Sequence, residues 1–260
     1  MPSTHPGRST ADLRSILDAT ELPTGDDKAV AVQAMFDTIA GRYDLVNRLM
    51  TFGLDTIWRK RTVDALGLPA GATVLDVACG TGDVCVTLRS NGFRPIGVDL
   101  SSGMLNVGRD DVPLIQGDAS QLPLADASVD GVTCGFALRN FAHLATVLGE
   151  MARVVRPGGR ISLLEVATPR GALLRAGHRI WFQKAVPLIG GLLSDPTAYR
   201  YLPRSVAYLP PEQVLQSMIR DAGFSAVGQR MLTGGVAQLI TATRAGMPEQ
   251  RHYPLVRDQA

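Results

Sequence analysis

The sequence predicts an α/β fold in which strands and helices alternate around an open sheet. Apolar, strand-like runs at 73–78 and 94–99 are each followed by a helix-compatible segment. The first run ends in the loop Gly80-Thr81-Gly82, and the second ends in Asp99, about 20 residues further on. Such alternation is typical of parallel strands joined by crossover helices, with a ligand at the carboxyl ends of the strands. We therefore expect a Rossmann-like sheet with its ligand site beside this loop and Asp99.

The remaining elements follow in chain order. Residues 1–28 are polar and rich in proline and glycine, so we expect a flexible N-terminal tail, and 246–260 should form a C-terminal tail. Residues 29–70 have apolar side chains at helical spacing and should form a helical cap, with a kink or a break into two helices at Gly41. Strands are predicted at 73–78, 94–99, 112–116, 129–136 and 160–166, and two more start near Phe224 and Gly235. The core domain thus spans 29–245 and contains seven strands.

A helical insertion is expected after strand five, over 169–210. Its first part, 169–193, contains no acidic residue but carries Arg170, Arg175, Arg179 and Lys184. The same part has an apolar stripe, formed by Leu173, Leu174, Ile180, Trp181, Ala185 and Leu188. A basic amphipathic segment over 170–193 either contacts an anionic membrane surface or acts as a lid on its own protein, and the pattern leaves both open.

Composition limits the class of protein. The chain has 260 residues, of which 45% are apolar, and a formal net charge of +2, which is typical of a single globular domain with appendages and predicts no nucleic-acid partner. We expect a cytoplasmic protein, because no apolar run approaches the ~18 residues of a membrane span and no signal core is present. Cys79, Cys85 and Cys134 lack paired spacing and should be buried thiols, and no metal site is predicted.

The loop and the following acid predict a site for a nucleoside cofactor. Backbone N–H groups and the positive end of a helix dipole suit an anionic or strongly polar ligand at the loop. A carboxylate at Asp99 can accept hydrogen bonds from both ribose hydroxyls. The dinucleotide fingerprint requires a third glycine where Cys85 stands, which disfavours a nicotinamide-dependent oxidoreductase. Asp76 and Asp118 have alternative roles, as a loop anchor and a turn residue respectively.

Several longer stretches carry a family resemblance. The loop Asp76-Val77-Ala78-Cys79-Gly80-Thr81-Gly82-Asp83 and the stretch Phe136-Ala137-Leu138-Arg139-Asn140 are similar to two motifs of the ubiquinone/menaquinone biosynthesis C-methyltransferases, which belong to the class I S-adenosylmethionine-dependent methyltransferases. The match covers about 31–243 and includes further stretches, namely Met35-Phe36, Tyr43-Asp44, Trp58-Arg59, Gly117-Asp118-Ala119 and Ala198-Tyr199-Arg200-Tyr201-Leu202. The resemblance implies a seven-stranded methyltransferase sheet.

The same resemblance implies a cofactor and a reaction. The cofactor is S-adenosyl-L-methionine, contacted by Thr81, Asp99, Asp118 and Ala119, with Asp76, Gly80 and Gly82 completing the binding loop. The reaction is methyl transfer to the quinol ring of a prenylated acceptor such as demethylmenaquinol, in menaquinone or ubiquinone biosynthesis. A prenylated substrate would place the protein at the inner face of the membrane, and a homodimer is left open.

Carbon methylation requires the neighbouring hydroxyl to lose its proton, so the site needs groups that hold a phenolate. Arg139 and Asn140 are the candidates. Arg139 stays protonated and would stabilise the phenolate, while Asn140 would orient the hydroxyl. Their alternatives are an ion-paired arginine at a helix start and an N-cap asparagine. His178, Tyr199 and Tyr201 are weaker candidates, with packing or lid roles as the alternative.

Some positions depart from the family pattern. Gly135, Ala137 and Arg204 replace residues that are common in the family, and most such changes fall on the substrate side. Two alternatives therefore remain open beside the quinol ring. One is another aromatic or polyketide-like acceptor, and the other is a non-catalytic cofactor-binding paralogue.

Overall fold

The computed structural model describes residues 22–193 and 195–246, and its centre is a seven-stranded sheet in the order β3-β2-β1-β4-β5-β7-β6. The strands are β1 (Thr73–Val77), β2 (Arg94–Asp99), β3 (Leu114–Gln116), β4 (Val129–Gly135), β5 (Val155–Val166), β6 (Phe224–Leu232) and β7 (Ala237–Arg244). β1 to β5 pair in parallel, as predicted, whereas β7 is antiparallel to β5 and β6. The β6–β7 connection is too short for the crossover that parallel pairing needs.

Helices cover both faces of this sheet and its carboxyl edge. They are α1 (Gly25–Met50), α2 (Leu54–Asp64), α3 (Asp83–Ser90), α4 (Ser102–Asn106), α5 (Leu144–Val154), α6 (Ala172–Ile180), α7 (Val186–Leu193), α8 (Pro196–Ser205) and α9 (Glu212–Asp221). A 3-10 turn at Leu138–Asn140 follows β4, and a π-helical turn at Trp181–Ala185 joins α6 to α7. No described helix is long and apolar enough to cross a bilayer.

The N-terminal cap differs from its prediction in two ways. α1 is one continuous helix, so Gly41 does not divide it, and it begins at Gly25 rather than at 29. The last four residues of the predicted 1–28 tail therefore belong to the helix, while residues 1–21 and 247–260 lie outside the described part of the chain. Tertiary packing explains the continuity, because Met35, Ile39 and Val46 on both sides of Gly41 are buried. Burial of each such side chain is worth about 1.5–3 kcal/mol, more than the cost of a helical glycine.

The apolar core lies on both faces of the central strands. α5 and α9 pack on one face through Leu148, Met151, Leu215 and Ile219. Residues of α2 and α3 form a second cluster with β1. The three cysteines are buried, as predicted.

α1 crosses the segments that follow β1, β2 and β4. Its Asp44 accepts a hydrogen bond from Thr81, after β1, and its Asp37 accepts bonds from the Ser101 hydroxyl and the Gly103 N–H, after β2. Lys28 Nζ donates to the Phe141 carbonyl, after β4. The helix thus covers the carboxyl edge of the sheet, where α/β folds hold their ligands.

Candidate active site

The loop after β1 is held open by residues in the left-handed backbone region. Gly80 and Gly82 have φ of 57° and 87°, which glycine adopts without strain. The Gly80 N–H donates to Asp99 Oδ2 at 2.7 Å, so the loop is joined to the end of β2. A Cβ on Gly82 would lie 3.3 Å from the Leu114 side chain, so close packing as well as backbone conformation favours glycine there.

Asp99 lines a cleft on the carboxyl edge of the sheet. Its Oδ1 accepts the Ser101 N–H at 2.8 Å, and its side chain lines the cleft together with Gly80, Asp118 and Ala119. Burial raises the pKa of Asp99 above its ordinary value, and the N–H donors of Ser101 and Gly80 oppose that rise. The arrangement fixes a carboxyl group beside the loop, ready to accept hydroxyl donors.

Asp118 has the predicted turn role, and it also borders the cleft. Its Oδ1 accepts the Ser120 N–H at 2.7 Å, which is the turn role, and the exposed side chain also lines the cleft. Ala119 lies next to it on the cleft wall. These two residues can therefore contact a ligand that reaches from Asp99 across the cleft.

Three other predicted cofactor residues lie behind the cleft wall. Asp76 is 1% exposed, accepts a hydrogen bond from Thr133 at 2.7 Å and does not line the cleft. Burial raises the pKa of Asp76 to about 7. Thr81 is 4% exposed and its hydroxyl donates a hydrogen bond to Asp44, and Gly82 holds the N-cap position of α3. The geometry favours the loop-anchor interpretation for Asp76, so direct contact between these residues and a cofactor stays a prediction.

Asp44 was not singled out as a site residue. Its Oδ2 accepts from Thr81 Oγ1 at 2.9 Å, while its Oδ1 is buried with no hydrogen-bond partner among the described residues. Burial and then the nearby Asp83 carboxylate raise the pKa of Asp44. The sequence signal was the Tyr43-Asp44 pair, which carried the resemblance without indicating a contact 37 residues away.

Arg139 forms a buried ion pair with Glu165 of β5, which sequence reasoning did not assign to the site. The Arg139 side chain is 7% exposed and that of Glu165 is fully buried. Arg139 also donates from Nη1 to the Phe136 carbonyl at 2.8 Å and from Nε to Ser205 Oγ at 3.1 Å. The ion-paired alternative is thus observed, and Nη2 carries two further N–H donors.

Asn140 lines the cleft, and its Oδ1 accepts a hydrogen bond from the Tyr201 hydroxyl at 3.3 Å. The N-cap alternative is wrong, because His143 holds the N-cap position of α5. Tyr199 and Tyr201 are fully buried in the cluster between α1 and α8, which supports the packing role for both.

A second cavity of about 450 Å³ adjoins the cleft. Tyr43 and Phe136 line both spaces, and Arg139 lines the second one. Its wall is otherwise mostly apolar and comes from α1, α2 and the 169–182 region, including Met50, Phe52, Trp58, Leu173, Leu174, Trp181 and Phe182. Phe136 has a φ of 60°, an unfavourable conformation for a bulky residue, and such strain concentrates at functional sites.

His178 also lines this cavity and stacks on Phe182, with ring centroids 4.5 Å apart. Its Nε2 is buried without a hydrogen-bond partner among the described residues, and burial lowers the pKa of the imidazole. Leu188, which the stripe pattern grouped with these residues, is 65% exposed and lies outside the cavity lining.

Comparison with known families decides the class of this two-chamber site. The model of the ubiE/COQ5 methyltransferase family matches residues 24–244. The chain belongs to the ubiE/COQ5 methyltransferase family. It is therefore a methyltransferase, and the α/β methyltransferase fold predicted from the sequence is confirmed.

Three relatives that align with most of this chain are named as the same enzyme. A demethylmenaquinone methyltransferase of Roseiflexus sp. (strain RS-1) is 41% identical, over 88% of this chain and 100% of its own length. Those of Corynebacterium kroppenstedtii and Mycobacterium sp. (strain KMS) are 40% and 42% identical, each over 85% of this chain and 97% of its own length.

Solved structures share the fold of this methyltransferase. An S-adenosylmethionine-dependent methyltransferase from Aquifex aeolicus superposes with a TM-score of 0.56 and 17% identity, over 78% of this chain and 98% of its own. Phosphoethanolamine N-methyltransferase 2 of Haemonchus contortus, in complex with S-adenosyl-L-methionine, superposes with a TM-score of 0.57 and 14% identity, over 90% and 60% of the two chains. At these identities the likeness concerns the fold alone.

Proposed function

We propose that this enzyme transfers a methyl group from S-adenosyl-L-methionine to a ring carbon of a demethylmenaquinol-type hydroquinone. The observation that carries the proposal is the junction at Tyr43 and Phe136, where the cleft that holds Asp99 and Asp118 meets a mostly apolar cavity. A methyl donor in the cleft and a hydrophobic acceptor in the cavity would meet at that junction. Holding two reactants in this way supplies much of an enzyme's rate enhancement. The name shared by the relatives supports the choice of acceptor.

The cleft residues fit S-adenosyl-L-methionine. Asp99 would accept hydrogen bonds from the ribose hydroxyls, and Asp118 and Ala119 would contact the adenine. Gly80 lets the backbone approach the ligand closely. Asp76, Thr81 and Gly82 would act by holding the loop. When bound, the cofactor supplies an electrophilic methyl group on a cationic sulfur, and the aromatic faces at the junction suit a cation.

Arg139 and Asn140 would handle the acceptor oxygen. The guanidinium of Arg139 lies at the cavity wall and can hold a phenolate. Its pairing with Glu165 fixes the orientation of the guanidinium. The guanidinium therefore need not reorient when negative charge develops on the acceptor. Asn140 stands on the cleft side of the junction, fixed by Tyr201, and would orient the hydroxyl.

His178 would accept the hydroxyl proton of the acceptor. A base must be unprotonated at working pH, and burial keeps the pKa of this imidazole below its ordinary value. Its Nε2 has no protein hydrogen-bond partner among the described residues, so no protein group competes there for a ligand proton. In this scheme the proton moves from the hydroxyl oxygen to Nε2, and Arg139 holds the resulting anion.

Quinone analysis in a host that lacks its own quinone C-methyltransferase tests the proposal. Expression of this chain should convert the demethylated quinone into its methylated form. Mass spectrometry should detect the mass change that results when a methyl group replaces one ring hydrogen. Asp99→Asn, expressed to the same level, is the matched control and should leave the demethylated quinone in place. Persistent demethylated quinone, with cofactor binding intact in the purified protein, would direct the search to another aromatic or polyketide-like acceptor, or to a non-catalytic cofactor-binding role.

A prenylated hydroquinone resides in a bilayer, so we place the enzyme at the cytoplasmic face of a membrane, with peripheral contact through 170–193. A homodimer and the lack of a nucleic-acid partner stay predictions from the sequence.

A further inference from the structure

α6 is a helix with no buried residue. All of its nine residues except His178 are exposed. Leu173 is 88% exposed, Leu174 58% and Ile180 61%. In proteins most helical stability comes from packing of the apolar face against other elements. The bare apolar face of α6 therefore indicates a surface that is covered when the protein works.

The charged side chains of α6 and of the segments that flank it in the chain are all basic. Residues 169–193 carry four cations and no acid, whereas the whole chain has a net charge of +2, so the remainder is net acidic. Arg170 pairs with Glu212, and Arg175 donates to the carbonyl of Pro169. Arg179 and Lys184 are exposed. The partner of this region should therefore be apolar and negatively charged.

A second segment extends this surface. Phe52, in the turn after α1, is 73% exposed, and its ring centroid lies 4.6 Å from that of Trp181. Trp181 Nε1 donates to the Met50 carbonyl at 3.1 Å, which ties the turn to the π-helical turn after α6. Phe52 has a φ of 54°, so a bulky and largely exposed residue is held in a strained conformation. We call the combined surface the docking face, formed by Leu49, Phe52, Leu173, Leu174, Ile180, Leu188, Arg179 and Lys184.

The docking face adjoins the apolar cavity. Phe52, Leu173 and Leu174 are largely exposed and also line the cavity. An acyl or prenyl chain could therefore pass from an apolar phase outside the protein to the cavity between these side chains. Exposed apolar side chains that continue into a cavity are typical of membrane or ligand contact sites.

We propose that the docking face rests on an anionic lipid bilayer and that the prenylated acceptor enters the cavity directly from that bilayer. The route of the acceptor rests on the proposed function, whereas the bilayer contact rests on the face itself. The apolar side chains would enter the boundary between headgroups and acyl chains, and Arg179 and Lys184 would lie at the anionic headgroups. A second copy of the chain is a poorer occupant, because a two-fold contact would set the cations of one face against those of the other.

Vesicle flotation of the full chain tests the contact. The protein should float with phosphatidylcholine vesicles that contain phosphatidylglycerol, less with pure phosphatidylcholine, and less as salt is raised. Arg179→Gln/Lys184→Gln should bind the anionic vesicles roughly thirty-fold more weakly, from about five-fold for each cation. Ile180→Ser/Leu188→Ser should also lose binding. Val214→Ser, at a residue of α9 that is 49% exposed, is the matched control and should bind like wild type.

Tryptophan fluorescence locates the contact independently. The chain has two tryptophans, and Trp58 is buried. In the variant Trp58→Phe, lipids brominated near the headgroup should quench Trp181 on anionic vesicles. An absence of quenching while the protein floats would place the contact elsewhere and overturn the docking face.

Turnover separates this inference from the proposed function. Arg179→Gln/Lys184→Gln should methylate a tail-less, water-soluble hydroquinone at the wild-type rate and lose turnover on a prenylated hydroquinone in anionic vesicles. Equal turnover on the vesicle-borne acceptor, or equal flotation of all variants, would refute the docking face. Anionic-vesicle binding through this face, without methylation of either acceptor, would refute the proposed function and keep the bilayer contact. The lipid assignment would be overturned if the wild type formed a dimer and bound no vesicles, and if Ile180→Ser/Leu188→Ser dissociated that dimer.

Discussion

The buried pair of Arg139 and Glu165 predicts a loss of stability that can be separated from the loss of catalysis. Both side chains are more than nine-tenths buried. Removing one partner leaves an uncompensated buried charge, which costs about 3–5 kcal/mol. Arg139→Met should therefore lower the melting temperature by roughly 10 °C, at about 2–4 °C for each kcal/mol in a domain of this size.

Replacing both residues should restore most of this stability. Arg139→Met/Glu165→Leu leaves no orphaned charge, and such apolar replacements of buried pairs are often neutral. The recovery should be incomplete, because Ser205 and the Phe136 carbonyl still lose a hydrogen-bond donor. Lys60→Met is the matched control, since Lys60 and Asp64 form an exposed pair that is worth at most ~1 kcal/mol.

Three measurements complete the experiment. Urea denaturation gives the free energy of unfolding, calorimetry gives affinity for S-adenosyl-L-methionine, and a methylation assay gives turnover. Both Arg139 variants should bind the cofactor nearly as wild type does and should lose turnover, because Arg139 lines the acceptor cavity rather than the cleft. A double variant as unstable as Arg139→Met would refute the reasoning about the pair. A double variant with normal turnover would remove Arg139 from the mechanism.

Three further predictions follow from the site. Asp99→Asn should weaken cofactor binding by roughly 10- to 100-fold, since hydrogen bonds to a charged acceptor contribute about 1.5–3 kcal/mol; calorimetry with Asp64→Asn as control checks this, and an unchanged Kd would exclude the ribose contact. Asp76 has its pKa raised to about 7 in the fold, so the folded state holds the proton more tightly than the unfolded state and stability should fall as the pH rises from about 4 to 7, by about 4 kcal/mol. Asp76→Asn should remove the part of this fall that Asp76 contributes, measured by urea denaturation at pH 5 and pH 8, while Asp44 and Asp99, whose pKa values are also raised, keep the remainder. A variant that keeps the full wild-type slope would contradict the burial argument. His178→Gln should lower turnover without changing cofactor affinity, and the wild-type rate should decline only below the ordinary imidazole range, because burial lowers this pKa. A normal turnover and pH profile in that variant would assign His178 to packing.

Much of the cofactor side of the site was predictable from the sequence. The strand pattern, the loop at Gly80 and the acid at Asp99 are local signals, since hydrophobic period, backbone freedom and strand ends are encoded within short windows. The structure places Gly80, Asp99, Asp118 and Ala119 around one cleft. Seven strands were also predictable for the same reason.

The acceptor side depended on contacts between residues far apart in the chain. Arg139 meets Glu165 26 residues later, and Asp44 meets Thr81 37 residues later. No periodic pattern in the sequence predicts such a pairing. Arg139 and Glu165 come together because β5 lies beside β4, and Asp44 and Thr81 come together because α1 crosses the strand ends. Sequence reasoning therefore found Arg139 but not the residue that fixes it.

The sequence by itself determined the class of the domain, an α/β methyltransferase, and the glycine-containing loop after β1. It also indicated candidate residues for the cofactor and the acceptor, which stay predictions. The tertiary structure alone decided that α1 continues through Gly41, that β7 runs antiparallel, and that Asp76 lies behind the cleft wall. It also decided that the cleft and the apolar cavity meet at Tyr43 and Phe136. The physical reason is that burial and shape arise from the packing of distant segments, whereas motifs and periodicity are properties of neighbouring residues.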